Sequence, residues 1–581
     1  MKSEEKLEHK RHSLAHLLGA TVLEMYPKAK LAIGPAIENG FYYDIELPET
    51  ISDNDLPKIE KAMEKMLPTW KEFTHKEVTE AEAKKYFKGN PYKLELIEEI
   101  AGKGEKITLY TAGEFTDLCR GGHVEHPAKE IDPLGFTLVR VAGAYWRGDE
   151  KNKMLTRIYG LAFDTKEELE AYEKQIEEAK KRDHKKLGRE LDLFTFSDLV
   201  GAGLPLWTPK GTMLRDILDN FVWELRQKYG YEKVDIPHIT KKDLYETSGH
   251  WEKFKTELFR IETREGHEFV MKPMNCPHHT QIYARKPWSY REMPQRYAST
   301  TKVYRDEQSG ELSGLSRVRA ITQDDAHVFC RQSQVKEEME KIWNIIETFY
   351  GAFGFALQVR LSLHDSQNMK AYLGDEATWL KAENELRELI KEKVAKAIEA
   401  PGEAAFYGPK VDFMAKDSIG REWQVATIQL DMNMPERFDL TCTNEKGEKE
   451  RIVMLHCAIM GSIERLLSVL IEHYAGNFPL WLSPVQVRVL PVRESHNEYA
   501  KEIYKKLRGA GIRAEVALED IGLGKKVRSA KEERVSYFII VGDKDIEAKK
   551  ATLEHREKGN LGQMSTEEIL QKLMEEIREK K

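Results

Sequence analysis

Two sets of side chains in this 581-residue chain have the types and spacing to do chemistry. The first lies within residues 271–330. It holds a thiol in Asn275-Cys276-Pro277, a cation and a carboxylate in Tyr304-Arg305-Asp306-Glu307, and an acid–imidazole run at Asp324-Asp325-Ala326-His327. A soft metal ligand, a phosphate-sized cation and a second metal ligand this close in sequence suggest a place where an anionic nucleotide meets a metal. The second set is split. His12 and His16 stand four apart in HSLAHLLGATVLEMY, so a helix there projects both from one face. Cys119 and His123 stand four apart in Thr116-Asp117-Leu118-Cys119-Arg120-Gly121-Gly122-His123. Histidine pairs at that spacing are commonplace, but two glycines between thiol and imidazole imply a tight backbone approach. Together the four make either a zinc set or the lining of a hydrolytic cleft.

The elements that must position these groups show in the periodicity. Apolar residues at helical spacing across 12–26 predict a helix. Residues 165–190, TKEELEAYEKQIEEAKKRDHKKLGRE, set Glu and Lys three or four apart and predict one long solvated helix, a spacer. Phe194-Thr195-Phe196 and Gly201-Ala202-Gly203-Leu204-Pro205 mark a new domain. GTMLRDILDNFVWELRQKYGYEKVDIPHI then predicts a helix and a strand ending at Pro237. From Pro484 on, PVQVRVLPV, SHNEYAKEIYKKLRGAGIRAEVAL and YFIIVGDKDIEAKKATLE alternate strand and helix, the pattern of a compact α/β domain with parallel strands. An amphipathic helix, STEEILQKLMEEIREKK, closes the chain.

Composition narrows the class. The chain is too long for one core, and 41% hydrophobic with 33% charged residues is an ordinary soluble mixture. No apolar run approaches the ~20 residues of a membrane span. The charged stretch Met1 to Arg11 leads straight into a helical pattern, so no signal peptide and no membrane association are expected. Five dispersed cysteines argue against a disulfide framework and for a reducing, cytoplasmic compartment. A net charge of -7 argues against nucleic acid at first sight, yet the stretch from Pro484 on carries a small cationic excess. Phosphate binding follows local patches, so a nucleic-acid partner stays open.

His12-x-x-x-His16 followed by Cys119-Arg120-Gly121-x-His123 resembles the editing domain of bacterial-type threonyl-tRNA synthetases, related to that of the alanyl enzymes, which hydrolyses mischarged seryl-tRNA. The resemblance implies an editing site of His12, His16, Cys119 and His123, supported by Asp117 and by Lys93 of Pro91-Tyr92-Lys93. Whether metal binds there stays open, since the threonyl branch works with water and polar side chains. Gly122 departs from the proline common in the family. The usual member also carries a small ubiquitin-like domain ahead of this one, which this chain is expected to lack.

The helix and strand before Pro237 resemble the first motif of class II aminoacyl-tRNA synthetases, which builds a homodimer interface. VYRDEQSG with SRVRAITQDDAHVF resembles the second motif, two antiparallel strands joined by a long loop. Adenylate formation needs a cation on the α-phosphate, and Arg305 offers a rigid fork for it. The resemblance further implies that Glu307 accepts from the adenine amino group and Arg317 reaches the terminal phosphates. Gly461-Ser462-Ile463-Glu464-Arg465 resembles the third motif, with Arg465 on the γ-phosphate. Single motifs of this kind are weak; three in order are not.

Cys276, His327 and His456 lie far apart, unlike a structural zinc finger, and three protein ligands leave the open position of a working zinc. Their contexts, MKPMNCP, TQDDAHVFC and VMLHCAIMGSIER, resemble the threonyl enzymes, in which one Zn2+ per subunit takes the amino group and hydroxyl of threonine. An apolar pocket separates near isosteres such as threonine and valine only ~100-fold, and a metal that must be filled by a hydroxyl rejects valine. Serine passes that test, which is the error an editing domain corrects. By the same resemblance Asp325 holds the amino group or hydroxyl and Gln323 a phosphate or carboxylate. Tyr407, Lys410, Gln424, Thr427 and Gln429 surround the amino acid and adenosine. His250 lies near the terminal ribose of the tRNA as a proton relay. The chain departs from the family in reading Cys276-Pro277-His278-His279 for Cys-Pro-Gly-His and Gln424-Val425-Ala426-Thr427 for Gln-Cys-Gly-Thr. It also reads His456-Cys457-Ala458 for His-Arg-Ala, which is expected to narrow a backbone approach at Ala426 and remove a positive charge beside the zinc at Cys457.

The C-terminal domain resembles the anticodon-binding domain shared by the histidyl, glycyl, prolyl and threonyl enzymes. Lys525, Lys526, Arg528, Lys531 and Arg534 are phosphate candidates or a solvated helix face. Glu554 and His555 stand where a family arginine is expected, so base-reading residues are not assigned. The expected fold class is α+β: a class II antiparallel sheet core, an α+β editing domain and a C-terminal α/β anticodon-binding domain. The expected bounds are 1–164 editing, 165–190 linker helix, 191–480 catalytic and 481–581 anticodon-binding. The implied activity is ligation of threonine to tRNA(Thr) with ATP and Mg2+, with editing of seryl-tRNA(Thr). A prolyl-type ligase is disfavoured by the Cys276, His327 and His456 set, and a non-catalytic RNA-binding paralogue by the retained Arg305 and Arg465.

Overall fold

The structure is a computed structural model and describes residues 3–393 and 397–580. The chain folds as two compact units divided after Glu178. In the first, helix Ser3–Met25 places Leu14, Leu17, Leu18 and Val22 at helical spacing on one buried stripe. That stripe packs on a sheet whose strands run, in order, Lys30–Leu31, Gly40–Glu46, Met154–Ala162 and Phe136–Tyr145. Ile59 and Met63 of helix Leu56–Met66 complete the same core. A smaller antiparallel sheet, Thr74–Val78, Ile107–Ala112 and Phe115–Leu118, delivers the chain to Cys119.

The predicted spacer helix is broken. Lys166–Lys181 ends, and a short helix, His184–Glu190, starts afresh because Asp183 caps it, accepting the Lys185 N–H at 2.8 Å. His184, Leu187 and Gly188 are buried, so this second piece is no solvated face. Gly188 is required there, since a Cβ would stand 2.2 Å from the Phe194 ring.

The second unit is built on an eight-stranded sheet, in the order Glu232–Lys233, Gln295–Tyr304, Ala320–Cys330, Val453–Ser462, Glu422–Asp431, Lys410–Lys416, Leu357–Leu363 and Ile398–Pro401. Every pairing is antiparallel except the outermost one on each side. Val453–Met460 is buried throughout, as a central strand covered on both faces must be. Helices Val335–Gly351 and Ile463–His473 supply much of that cover. The helix ahead of the sheet, Pro209–Gln227, starts where the Thr208 side chain accepts the Gly211 N–H. The strand after it is only Glu232–Lys233 and stops short of Pro237, because the Asp235 carboxylate takes the Ile236 N–H at 3.0 Å.

The C-terminal sheet runs Ala514–Val516, Val487–Pro491, Tyr537–Val541, Ala551–His555 and Gly559–Met564. The first three strands are parallel as expected, but the last two run antiparallel. Their connections, 542–550 and 556–558, fall short of the dozen or so residues a parallel crossover needs. The architecture is α+β.

Candidate active sites

Sheet register brings the distant residues of the second unit together. Side chains alternate faces along a strand, so residues in register across neighbouring strands share a face. One row runs His327, His456, Gln429, Lys410, and the next Asp325, Ala458, Thr427, Asp412. Ser299 and Thr301 face Asp325 and Gln323 from the neighbouring strand. A cavity of about 760 Å3 opens beside these rows, lined by Arg305, Glu307, Arg317, Gln323, Thr427 and Arg465 among others.

The donor atoms of Cys276, His327 and His456 lie within 4.8 Å of one another, and all three residues are buried. His327 Nε2 and His456 Nδ1 face each other at 3.1 Å. Their outer nitrogens have protein partners: His456 Nε2 is 2.8 Å from Asp431 Oδ2, and His327 Nδ1 is 2.8 Å from His279 Nδ1. His279 is itself steadied by Ser299 Oγ at 3.1 Å from its Nε2. Tyr407 stacks on the His456 ring at 4.7 Å and donates its hydroxyl to Gln429 Oε1 at 2.5 Å. Such outer bonds fix ring orientation around a metal, and a thiol with two imidazoles fits a three-ligand divalent site. Asp325 Oδ1 lies 3.7 Å from His327 Nε2, and burial lifts its carboxyl to about 6. His250 is fully buried behind the thiol, with Nε2 3.5 Å from Cys276 Sγ and Nδ1 2.9 Å from Ser248 Oγ. Burial pushes its pKa down to about 3, so its ring is neutral near pH 7.

The cavity itself carries three arginines, Arg305, Arg317 and Arg465. Arg305 is held inside, its guanidinium 5.1 Å from the Phe254 ring, and burial lowers its pKa. Its Nε, the Gln323 Oε1 and the Thr427 Oγ1 are buried without a hydrogen-bond partner, so the pocket keeps polar atoms for a ligand. Arg465 sits in the first turn of Ile463–His473, where the Ser462 hydroxyl caps the helix by accepting its N–H at 3.2 Å. Glu307 accepts from Arg317 Nε at 2.8 Å, and Arg319 donates to the Glu307 carbonyl at 2.9 Å. Lys410 and Gln424 meet on Asp412, at 2.9 and 2.8 Å.

Sequence reasoning missed Asp431, His279, Asp412 and Arg319. The signal for Asp431 and Asp412 was strand alternation, which aims them at His456 and Thr427; for His279 it was the doubled histidine. The expected charge loss at Cys457 is corrected. Residue 457 alternates away from the His456 face, and its Sγ meets Tyr231 OH at 3.8 Å behind the sheet. There Arg226 pairs with buried Asp324 at 3.1 Å, and Asp324 also takes the Ile459 and Met460 N–H groups across the bulge between Gln323 and Asp325. In the C-terminal domain, Lys526 is corrected as a phosphate ligand. It is buried, with Nζ bonded to the Pro491 and Ala517 carbonyls at 3.1 and 3.0 Å. Lys525, Arg528, Lys531 and Arg534 remain exposed.

The N-terminal cluster forms in the first unit. His12, His16, Cys119 and His123 also place their donor atoms within 4.8 Å of one another. Cys119 Sγ is 3.2 Å from His123 Nε2 and 3.6 Å from His12 Nε2, and it accepts the Gly121 N–H at 3.3 Å. His12 Nδ1 lies 3.2 Å from the Gly122 carbonyl, so it carries the proton and leaves Nε2 as the basic atom. His123 Nδ1 meets the Ser13 hydroxyl at 3.3 Å. Burial raises the thiol to about 11 and lowers all three imidazoles. The cluster is therefore neutral at pH 7. Beside it Lys93 and Asp117 form a buried pair at 2.5 Å, and Tyr43 donates its hydroxyl to Asp117. Gly121 and Gly122 have φ of +105° and +81°. Proline cannot adopt such a φ, so the loop follows a path that glycine alone makes easy.

Three stretches match known domains: residues 107–159 the threonyl and alanyl tRNA synthetase second additional domain, 259–474 the tRNA synthetase class II core domain (G, H, P, S and T), and 486–576 an anticodon binding domain. The chain is 48% identical over 573 residues to the threonine–tRNA ligase of Porphyromonas gingivalis, covering 97% of this chain and 87% of that one. It is 48% identical over 554 residues to that of Deinococcus radiodurans, covering 94% and 85%. Among solved structures, the RNA binding domain of threonyl-tRNA synthetase from Cryptosporidium parvum aligns with a TM-score of 0.65 at 35% identity, over 68% of this chain and 98% of that one.

Proposed function

The chain belongs to the threonine–tRNA ligase family, and from that premise we infer that it activates threonine with ATP, transfers it to tRNA(Thr), and hydrolyses seryl-tRNA(Thr) in its N-terminal domain. The observation that carries this reading is the shared face of the large sheet. It sets a Cys–His–His donor set beside a cavity with three arginines and unpartnered polar atoms.

Arg305 reaches the α-phosphate where charge grows as the threonine carboxylate attacks, and its buried position makes that contact strong. Arg317 and Arg465 hold the terminal phosphates, with Mg2+ accompanying ATP. Glu307, released from Arg317, accepts from the adenine amino group. Gln323, Thr427, Gln429, Gln424 and Lys410 fix the amino acid and adenosine, and Tyr407 orients His456. Asp325, with its raised pKa, accepts from the threonine amino group or hydroxyl. Cys276, His327 and His456 would hold one Zn2+, which when bound supplies a Lewis acid that selects an amino acid with a β-hydroxyl. His250 orients the thiol, with its Nε2 3.5 Å from Cys276 Sγ, and is the candidate proton relay for transfer.

In the N-terminal domain, His12 Nε2 is the base for a water aimed at the ester, and Lys93, Asp117, Cys119, His16 and His123 shape the cleft. Domain bounds at 1–164, 165–190, 191–480 and 481–581, a homodimer through the catalytic domain and a cytoplasmic location complete the proposal. No helix among the described residues is long and apolar enough to cross a membrane. Pyrophosphate exchange with threonine, serine and valine, with and without chelator, tests the central step. Strong exchange with threonine, weaker with serine and none with valine is expected, all lost on zinc removal. Exchange indifferent to chelator, or equal for valine, contradicts it.

A further inference from the structure

One buried cluster outside this machinery ties three distant segments together. His184 opens the helix His184–Glu190, and its Nδ1 lies 2.6 Å from Glu472 Oε1, in the last turn of Ile463–His473. Its backbone N–H donates to the same oxygen at 3.0 Å. On the far side of the ring, Nε2 accepts the backbone N–H of Leu315 at 3.0 Å. An accepting Nε2 requires the proton on Nδ1, so the neutral ring bridges with a donor on one edge and an acceptor on the other. The second Glu472 oxygen is held by Arg421 at 2.5 Å. Leu315 is fully buried, and its neighbour Gly314 has φ of +51°, where a Cβ would stand 2.3 Å from His184 Nε2. The loop is thus seated on the imidazole. Asp183, His184 and Glu472 have donor types a metal could use, but the Leu315 N–H fills the outer ring nitrogen, so the cluster is a hydrogen-bonded clamp.

Leu315 belongs to the loop that carries Glu307 and Arg317, and Glu472 to the helix that carries Arg465. We propose that His184 is a positioning residue for the nucleotide, locking the loop that holds the base and terminal phosphates to the helix whose first turn holds the γ-phosphate. This rests on the ATP-dependent reading above. The clamp touches neither the Cys276, His327 and His456 set nor the threonine face, so it sets the affinity for ATP and leaves that for threonine alone.

The test is threonine-dependent pyrophosphate exchange with the full-length chain, reading the KM for ATP and for threonine separately. His184→Leu keeps the volume but removes both bonds, and is expected to raise the KM for ATP about tenfold while the KM for threonine stays within about twofold. His184→Gln offers an amide oxygen to Leu315 and an amide N–H to Glu472, and is expected to restore the KM for ATP. A site that merely fills space predicts the reverse order, with leucine tolerated and glutamine not. If His184→Leu does not fold, Gly314→Ala decides, because it lifts the loop off an intact histidine and should raise the same KM. A folded His184→Leu or Gly314→Ala variant with a wild-type KM for ATP, or with both KM values raised alike, overturns the proposal. Absence of threonine-dependent exchange in the wild type overturns the functional reading instead.

Discussion

The two histidine–cysteine clusters are nearly matched in donors and differ in what stands behind them. Cys276, His327 and His456 hang on a helix start and two paired strands, and both imidazoles have their outer nitrogens taken by Asp431 and His279. His12, His16, Cys119 and His123 hang on one helix and a glycine loop, with a carbonyl and a hydroxyl as the outer partners and none on His16 Nδ1. Carboxylate and carbonyl partners alike fix a ligand histidine's tautomer and raise its basicity, and the carboxylate behind His456 adds a full negative charge. We propose that the trio holds a cation and that the quartet works as a cleft with one aimed base, His12 Nε2. Donor identity is nearly the same in the two clusters; on this proposal the outer bonds, with a carboxylate behind His456 and neutral partners behind His12 and His123, make the difference.

The comparison breaks first at the thiols. Cys276→Ala should lower threonine-dependent exchange about 10³-fold, the worth of several kcal/mol of Lewis-acid stabilisation, while deacylation of seryl-tRNA(Thr) continues. His12→Ala should do the opposite, slowing deacylation about 10²-fold and leaving exchange intact; equal effects on both activities would erase the distinction. Asp431→Asn should weaken zinc binding about 10–100-fold by chelator titration, whereas no outer substitution in the quartet should change metal content.

Acid sharpens the contrast. Burial lowers the His12 pKa, so the base stays neutral to below its ordinary value near 6.5, and deacylation should hold its rate as pH falls from 8 through 6.5 before declining. A decline centred above 6.5 would contradict the buried, neutral cleft. The smallest effect lies in the C-terminal domain. Hydrogen bonds from Arg488 hold the Glu533 carboxyl down at about 2, so this pair stabilises the fold above the ordinary carboxylate range and fades as pH falls toward 2. Glu533→Gln should therefore lower Tm slightly at pH 7 and by a smaller margin at pH 3.

Much of this was legible before any fold was known, because it rests on local chemistry. Arg305 and Arg465 both line the large cavity, and the four N-terminal donors converge within 4.8 Å of one another. What the one-dimensional pattern hid depended on pairing across distance. Asp431 and Asp412 look like ordinary strand residues until register places them beside His456 and Thr427. Cys457 looked like a charge lost at the site because its neighbour is a ligand, yet strand alternation sends it to the opposite face. His184 sat in a charge-rich run that reads as solvated, and only the Asp183 cap, which breaks the helix, turns it inward.

Metal content of the purified full-length chain, measured beside that of Cys276→Ala and Cys119→Ala, tests the central claim most directly. One zinc per chain, lost in Cys276→Ala and kept in Cys119→Ala, is the result this account predicts. Zinc kept in Cys276→Ala, or lost in Cys119→Ala, would contradict it.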